Sequence, residues 1–300
     1  MKYIVGRDNI KLDNTVVTIG KFDGIHLGHK LLIDESIRSK DSGLTSVVFT
    51  FEQNKDSKYI YTEDEKRKIL EETGIDVCIV YPFDDITIKM SAHDFVKNIL
   101  VDQLGVKKIV VGKDFKFGKD RQGDASLLIQ LSMIYGFEVV VYKKRQASDG
   151  EEISSRKIRE DIVNSNMDKV SEQLGRPYSF SGIISKGRQL GRTIGFPTIN
   201  IIPDEGKVLP KNGVYASKIV FEDEENVEYM GMTNIGNNPT VADGLKKVVE
   251  TNIFEFDKQV YGRQVQVFIV HYIRNEKKFT NIDELKNQIS RDKELINKEE

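Results

Sequence analysis

Residues 15–29 read TVVTIGKFDGIHLGH, and this stretch decides how the first half of the chain is read. Thr15–Ile19 is a short β-branched run, the pattern of a strand buried on both faces. A glycine-rich turn follows, and helical spacing begins at about residue 29. Strand, glycine turn and helix start together make an anion site, because backbone N–H groups and the positive helix end face the ligand. Gly20, Phe22, Asp23, Gly24, His26, Gly28 and His29 are the candidates there. His26 and His29, three apart, can donate hydrogen bonds to phosphate oxygens and stabilise charge that builds up during transfer. A metal pair and a fortuitous turn are the alternatives. A metal needs further ligands, and the chain has only two other histidines, His93 and His271. There is no Walker A loop: Gly112 to Gly118-Lys119 has the wrong spacing, and Asp120 stands where Ser or Thr is required.

Working outward, four more Val- and Ile-rich runs follow: Thr45–Phe51, Asp76–Tyr81, Lys108–Gly112 and Glu138–Tyr142. Helical patterns lie between them at about 29–40, 63–72, 91–104 and 124–135. This alternation predicts an α/β domain with a doubly wound parallel sheet, whose ligands sit at the carboxyl ends of the strands. After about residue 175 the helical period ends. Strand patterns at 178–186, 213–221, 227–235, 248–256 and 264–272 follow one another, which predicts an antiparallel sheet or small barrel. The tail returns to helix, with Ile282, Leu285, Ile289 and Ile296 on one stripe. Two domains are expected, 1–172 and 173–300.

Composition narrows the function classes. The 45 basic and 47 acidic residues leave a net charge of −2, so there is no global attraction to nucleic acid or to anionic membranes. The single cysteine, Cys78, excludes an intrachain disulfide framework and a thiolate-cluster metal site. No apolar run approaches the ~18–20 residues of a membrane helix. The amino terminus lacks a signal-peptide core, so a cytoplasmic location is expected.

Three further clusters carry possible chemistry. Ser154 and Ser155 open a helix, with Arg159 one turn on. Hydroxyls, helix N–H groups and a guanidinium would hold a leaving pyrophosphate, although plain helix capping also accounts for the serines. Asp114, Phe115 and Phe117 alternate polar and aromatic beside glycines, as a ring-stacking surface or simply as a strand. In the second half, residues 187–200 read GRQLGRTIGFPTIN. Thr198 and Asn200, two apart, face one side of an extended segment. Hydroxyl and amide oxygens there suit Mg²⁺ beside phosphate, with water completing the shell. Gly213-Val-Tyr215, Asn234-Ile-Gly236-Asn-Asn-Pro239-Thr240, Val249-Glu250 and Arg274-Asn-Glu-Lys-Lys-Phe279 follow, each alone also readable as turn or surface chemistry.

Residues 26–29, H-x-G-H after the first strand, resemble the nucleotidyltransferases that move AMP from ATP. The whole set in order resembles the bifunctional riboflavin kinase/FMN adenylyltransferase family, the prokaryotic FAD synthetases. The resemblance implies an N-terminal nucleotidyltransferase domain and a C-terminal β-barrel riboflavin kinase domain with a closing helix. It implies ATP with Mg²⁺, riboflavin, FMN and FAD as ligands, and neither nucleic acid nor membrane as partner. ATP would be held by the 20–29 turn, Ser154, Ser155 and Arg159 in the first site. In the second it would be held by Gly187, Gly191, Pro197, Thr198 and Asn200, with Thr198 and Asn200 on the metal. Asp114, Phe115, Phe117 and Arg274 would contact flavin, and Glu250 would be the base at the riboflavin 5′-hydroxyl. Three positions depart from the family pattern: Glu52-Gln53-Asn54-Lys55 replaces x-Pro-His-Pro, Arg156 stands where Thr is usual, and Lys21 stands where a small or apolar residue is common. They favour, as the alternative, a riboflavin kinase with a degenerate adenylyltransferase domain.

Overall fold

The computed structural model describes residues 1–8, 10–54, 57–187, 191, 194–224, 227–238 and 246–298. The chain divides into two compact units, Met1–Ser155 and Arg156–Glu300.

The first unit is built on strands β1 (Lys2–Val5), β2 (Thr15–Ile19), β3 (Thr45–Phe51), β4 (Val77–Tyr81), β5 (Val106–Gly112) and β8 (Glu138–Tyr142). They form one sheet in the order β1-β4-β3-β2-β5-β8, with every pairing parallel. The period of two along each strand sends alternate residues to opposite faces. On β2 and β3, Val17, Ile19, Val47 and Phe49 pack with Phe95, Ile99, Leu128 and Leu131 on one side. On the other side Val48 packs with Ile33 and Leu70. Those contacts come from helices α1 (Leu27–Arg38) and α2 (Glu63–Glu72), with α3 (Asp85–Lys89), α4 (Ala92–Asp94) and α5 (Ala125–Tyr135) completing the unit. The expected helix at 91–104 is Ser91-capped α4 running directly into a π-type segment, Phe95–Val101. Strand β1 was not legible as a strand, being short and partly exposed at the sheet edge. Residues 113–118 are not a continuation of β5 but a tight loop into a two-residue ribbon, β6 (Lys116–Phe117) with β7 (Gly123–Asp124).

The strand order positions the site. The chain runs outward from β2 through β3 to β4, then crosses to the other flank for β5. The loops leaving β2 and β5 therefore diverge, opening a crevice at the carboxyl ends of the two strands. The glycine turn after β2 and the Asp114–Phe117 loop after β5 are its two lips.

Helix α1 is anchored to this sheet by Glu35. Its carboxylate accepts from Lys108 Nζ on β5 at 2.7 Å, from Arg38 at 2.8 Å and from the Tyr142 hydroxyl on β8 at 2.9 Å. The bond from Lys108 leads in lowering the Glu35 carboxyl to about 2. A depressed folded-state value contributes stability above the ordinary carboxylate range, lost as pH falls towards 2. Glu35→Gln should therefore lower the thermal midpoint at pH 7, by at most about 3 kcal/mol of stability. The gap from the wild type should close as pH falls from 4 towards 2, which paired melting curves will show.

The second unit is a curled antiparallel sheet. Its strands are β9 (Tyr178–Ile183), β10 (Thr198–Ile201), β11 (Gly213–Phe221), β12 (Glu228–Asn238), β13 (Lys246–Ile253) and β14 (Gln264–Arg274), in the order β10-β13-β12-β11-β14-β9. The two edges meet where Ser185 pairs with Asn200, closing the barrel. Inside lie Tyr215, Ile219, Phe221, Val265, Val267 and Phe180, all buried. Three buried hydroxyls there satisfy one another: Thr233 Oγ1 reaches Ser217 Oγ and Thr251 Oγ1, each at 2.8 Å. Strand β10 was expected only as an extended segment, because its four residues follow a glycine-rich stretch. Helices α6 (Ser155–Val163) and α7 (Met167–Leu174) precede β9, and α8 (Ile282–Ile296) follows β14. On the outer face of the sheet, Ile289 and Ile296 of α8 pack against Val214, Ala216 and Met232. The expected boundary at 172/173 thus falls within this unit, inside α7, which packs on β14 and β9.

Candidate functional site

In the first unit the turn after β2 is built from strained backbone. Phe22 (φ 48°), Gly24 (φ 85°) and Ile25 (φ 41°) all lie in the left-handed region. For the two non-glycine residues this costs about 1–2 kcal/mol each. Burial of both side chains in the core beside Ile33 and Val48 offsets it. Strain of this kind concentrates where backbone must face a ligand.

His26 is the N-cap of α1, and its Nδ1 accepts the His29 backbone N–H at 3.2 Å. An Nδ1 that accepts carries no proton, which puts the ring N–H at Nε2. The His26 and His29 rings stack at 3.7 Å and 14°. Gly28 permits this, since a Cβ there would sit 3.1 Å from the His26 ring. The two histidines expected to share one site are thus in contact. The Ser155 hydroxyl donates to the Asp23 carbonyl at 2.7 Å, and Asp23 Oδ1 accepts from the Ile60 N–H at 2.8 Å. Ser155 is therefore tied to the same turn. Gly20 sits at the end of β2, its N–H bonded to the Phe49 carbonyl at 3.1 Å. Ser154 precedes α6, and Arg159 lies four residues after Ser155 on that helix, in the stretch belonging to the second unit.

On the other lip, exposed Asp114 pairs with Lys144 Nζ at 3.3 Å. Phe117 is buried in the core against Phe95, and half-buried Phe115 stacks on it at 5.4 Å and 14°. Of the two rings expected at a flavin, Phe115 is the one with access. The three departures from the family pattern have local explanations. Gln53 Nε2 donates to the Tyr61 carbonyl at 2.8 Å, exposed Arg156 pairs with Glu160 at 3.1 Å, and the Lys21 ammonium lies over the Phe83 ring at 5.7 Å. Lys55 lies outside the described residues.

In the second unit, strand register lines up the chemistry. Asn200 on β10 is paired with Glu250 on β13, which is paired with Asn234 on β12. Asn234 is paired with Val214 on β11, and Val214 with Arg274 on β14. One row thus crosses five strands. Thr198 and Asn252 form the pair two residues along β10 and β13, so they share its face. A cavity of ≈ 280 Å³ opens over this face, lined by Thr198, Asn234, Glu250, Asn252, Arg274 and Glu276 among its polar residues. Phe196, Phe279, Leu285 and Ile289 supply apolar wall. The Asn200 side chain lies under Gly187, where a Cβ would collide with the amide nitrogen. Gly191 lines the cavity, and its carbonyl accepts the Phe196 N–H at 2.8 Å. The Pro197 carbonyl accepts from Asn252 Nδ2 at 2.7 Å. Residues 188–190, 192 and 193 of the glycine-rich stretch, and Pro239-Thr240, lie outside the described residues.

One expectation changes here. The strand expected at 248–256 ends early: β13 stops at Ile253 and Glu255 has φ 54°, so alternation cannot place Glu255 or Asp257 relative to Glu250. Asn252 and Asp292 were missed, and Glu276 was read only as part of the Arg274–Phe279 motif. Asn252 was findable as the i+2 neighbour of Glu250. Asp292 gave no signal, being one polar residue on an amphipathic helix.

The family model described as FAD synthetase matches residues 8–157, and the one described as riboflavin kinase matches 174–299. Proteins named bifunctional riboflavin kinase/FMN adenylyltransferase are similar over nearly the whole length. That of Buchnera aphidicola (from Schizaphis graminum) is 35% identical, covering 99% of this chain and 98% of its own. That of Escherichia coli K12 is 36% identical, covering 97% and 96%. A crystal structure described as a macrolide-efflux protein from Streptococcus pneumoniae matches at TM-score 0.89 and 28% identity, covering 99% of both chains. Among the described residues of the present chain, no helix is long and apolar enough to cross a membrane. By similarity over nearly the whole length to these relatives and by both family matches, this chain belongs to the bifunctional riboflavin kinase/FMN adenylyltransferase family.

Proposed function

We propose that the chain carries out two reactions in series. The barrel unit transfers a phosphoryl group from ATP to the 5′-hydroxyl of riboflavin, giving FMN. The parallel-sheet unit then joins FMN to the AMP moiety of a second ATP, giving FAD and pyrophosphate. The observation that carries the reading is the row in which Glu250 stands directly opposite Asn200, with Thr198 two residues away on the same face of the cavity.

In the kinase, Glu250 takes the proton of the primary hydroxyl as the oxygen attacks phosphorus. General-base help of this kind is worth ~10²–10⁴. ATP-dependent kinases and adenylyltransferases use a divalent cation, which neutralises phosphate charge during transfer. Thr198 and Asn200 offer neutral oxygens suited to a hard cation, and Gly187 leaves room for the Asn200 amide. With Mg²⁺ bound, phosphate oxygens and water would fill the remaining positions of its shell. Gly191 lines the ATP side of the cavity, the Pro197 carbonyl holds Asn252 beside it, and Arg274 lies on the flavin side.

In the adenylyltransferase, no covalent intermediate is needed, so positioning and charge stabilisation supply most of the rate. The backbone of Gly20–Gly24, the α1 start with Gly28, the His26 Nε2–H and His29 face the ATP phosphates. Ser154, Ser155 and Arg159 hold the departing pyrophosphate, while Asp114 and Phe115, backed by Phe117, take the flavin. The functional boundary is placed at 172/173, supported by a riboflavin kinase match that begins at 174.

Purified protein with riboflavin, ATP and Mg²⁺, with flavins separated over time, tests both steps. FMN should appear first and FAD after it. FMN accumulating without FAD would leave only the kinase half of the reading; neither product would end it.

A further inference from the structure

We propose that Asp292 is a positioning residue of the kinase cavity: from the C-terminal helix it fixes the Arg274 guanidinium in the cavity wall, in line with Glu250. The inference rests on the reading of this cavity as the kinase site.

Asp292 is fully buried, and a carboxylate in that state is rare unless it is paired. Its partner is Arg274. Arg274 Nε donates to Asp292 Oδ1 at 3.1 Å and Oδ2 at 2.9 Å, and Nη2 donates to Oδ2 at 2.7 Å. Gln288, one turn earlier on α8, donates to Asp292 Oδ1 at 2.8 Å. This fork-on-carboxylate geometry fixes direction as well as distance. Arg274 Nη1 also donates to the Asn275 carbonyl at 3.0 Å. Three of the five guanidinium N–H groups are engaged, leaving two donors on a side chain that lines the cavity.

Stability alone is a poor reason for this pair. The helix already docks through Ile289 and Ile296 against Val214 and Met232. A buried ion pair adds little to such a contact, because desolvation offsets the attraction, and apolar residues of similar volume often do as well or better. What apolar residues cannot do is hold a cation in the wall of a cavity. Arg274 is separated from Glu250 by three strand steps, roughly 14 Å along the sheet. Its side chain therefore enters the cavity from the far end of the row, not beside Glu250. It is placed instead to bind the far end of an acceptor that carries a hydroxyl on a chain and hydrogen-bond acceptors on a ring.

Binding made equally in the ground and transition states changes KM and leaves kcat alone. Asp292→Asn should therefore raise the KM for riboflavin at least ~10-fold with kcat nearly unchanged. The apolar pair Arg274→Met with Asp292→Leu should raise it as much while keeping the thermal midpoint at or above that of the full-length wild type. Conversion of supplied FMN to FAD reports on the rest of the chain in each variant. Glu250→Gln separates the two readings, since it should lower kcat. If it does not, the assignment of the cavity as the kinase site fails. If it does, and the folded pair variant keeps a wild-type riboflavin KM or shows its loss in kcat, the positioning role of Asp292 is overturned.

Discussion

Glu250→Gln is expected to cut FMN formation at least ~10²-fold while riboflavin and ATP still bind. The primary hydroxyl of riboflavin is a poor nucleophile, and it gains from a carboxylate placed to accept its proton. Glu250 sits between Asn200 and Asn234 in the row across the sheet, on the face that opens to the cavity. Glutamine keeps the shape and the hydrogen-bonding capacity but loses the basicity, so packing should be preserved. FAD synthesis from supplied FMN should continue. Glu255→Gln and Asp257→Asn serve as controls beyond the end of β13. Near-normal turnover in Glu250→Gln, with turnover abolished in either control, would move the base elsewhere.

The second large effect is expected in the other half. His26→Ala combined with His29→Ala should nearly abolish FAD formation from FMN and leave riboflavin phosphorylation intact. Removing one preorganised donor typically costs ~10²–10³ in rate, and here two stacked rings are lost together. His26 also caps α1 through Nδ1, and loss of a cap costs about 1 kcal/mol. His26→Asn with His29→Ala separates the contributions, because an asparagine side chain still accepts a capping N–H. It should restore the thermal midpoint but not FAD formation. Parallel loss of both activities in a well-folded double variant would show that the phosphate site lies elsewhere.

The architecture was largely legible because both units obey local rules. Five of the six parallel strands are continuous Val- and Ile-rich runs, and β2, β3 and β4 among them are buried on both faces. The helices between them carry their own starts, such as the capping box of Thr62 with Glu65. The barrel strands show alternation and turn residues, and the α8 stripe announced itself by its spacing. The phosphate turn was legible because glycine, histidine and a helix start lie within fifteen consecutive residues.

The rest depends on partners far away in sequence. Side-chain spacing on β13 says that Glu250 and Asn252 share a face, but only the pairing of β13 with β10 and β12 places Glu250 between Asn200 and Asn234. A strand's register is set by its neighbours, and a one-residue slip would turn Glu250 to the other face. Phe117 reads as a stacking surface in sequence, yet packing against Phe95 buries it. Asp292 reads as a solvated helix residue, and only the docking of α8 beside β14 makes it the buried partner of Arg274. Local chemistry was written in the sequence because it acts between neighbours along the chain. The row across the sheet and the buried ion pair were decided by tertiary structure, because each joins residues that only the closed sheet and its docked helix bring within hydrogen-bonding distance.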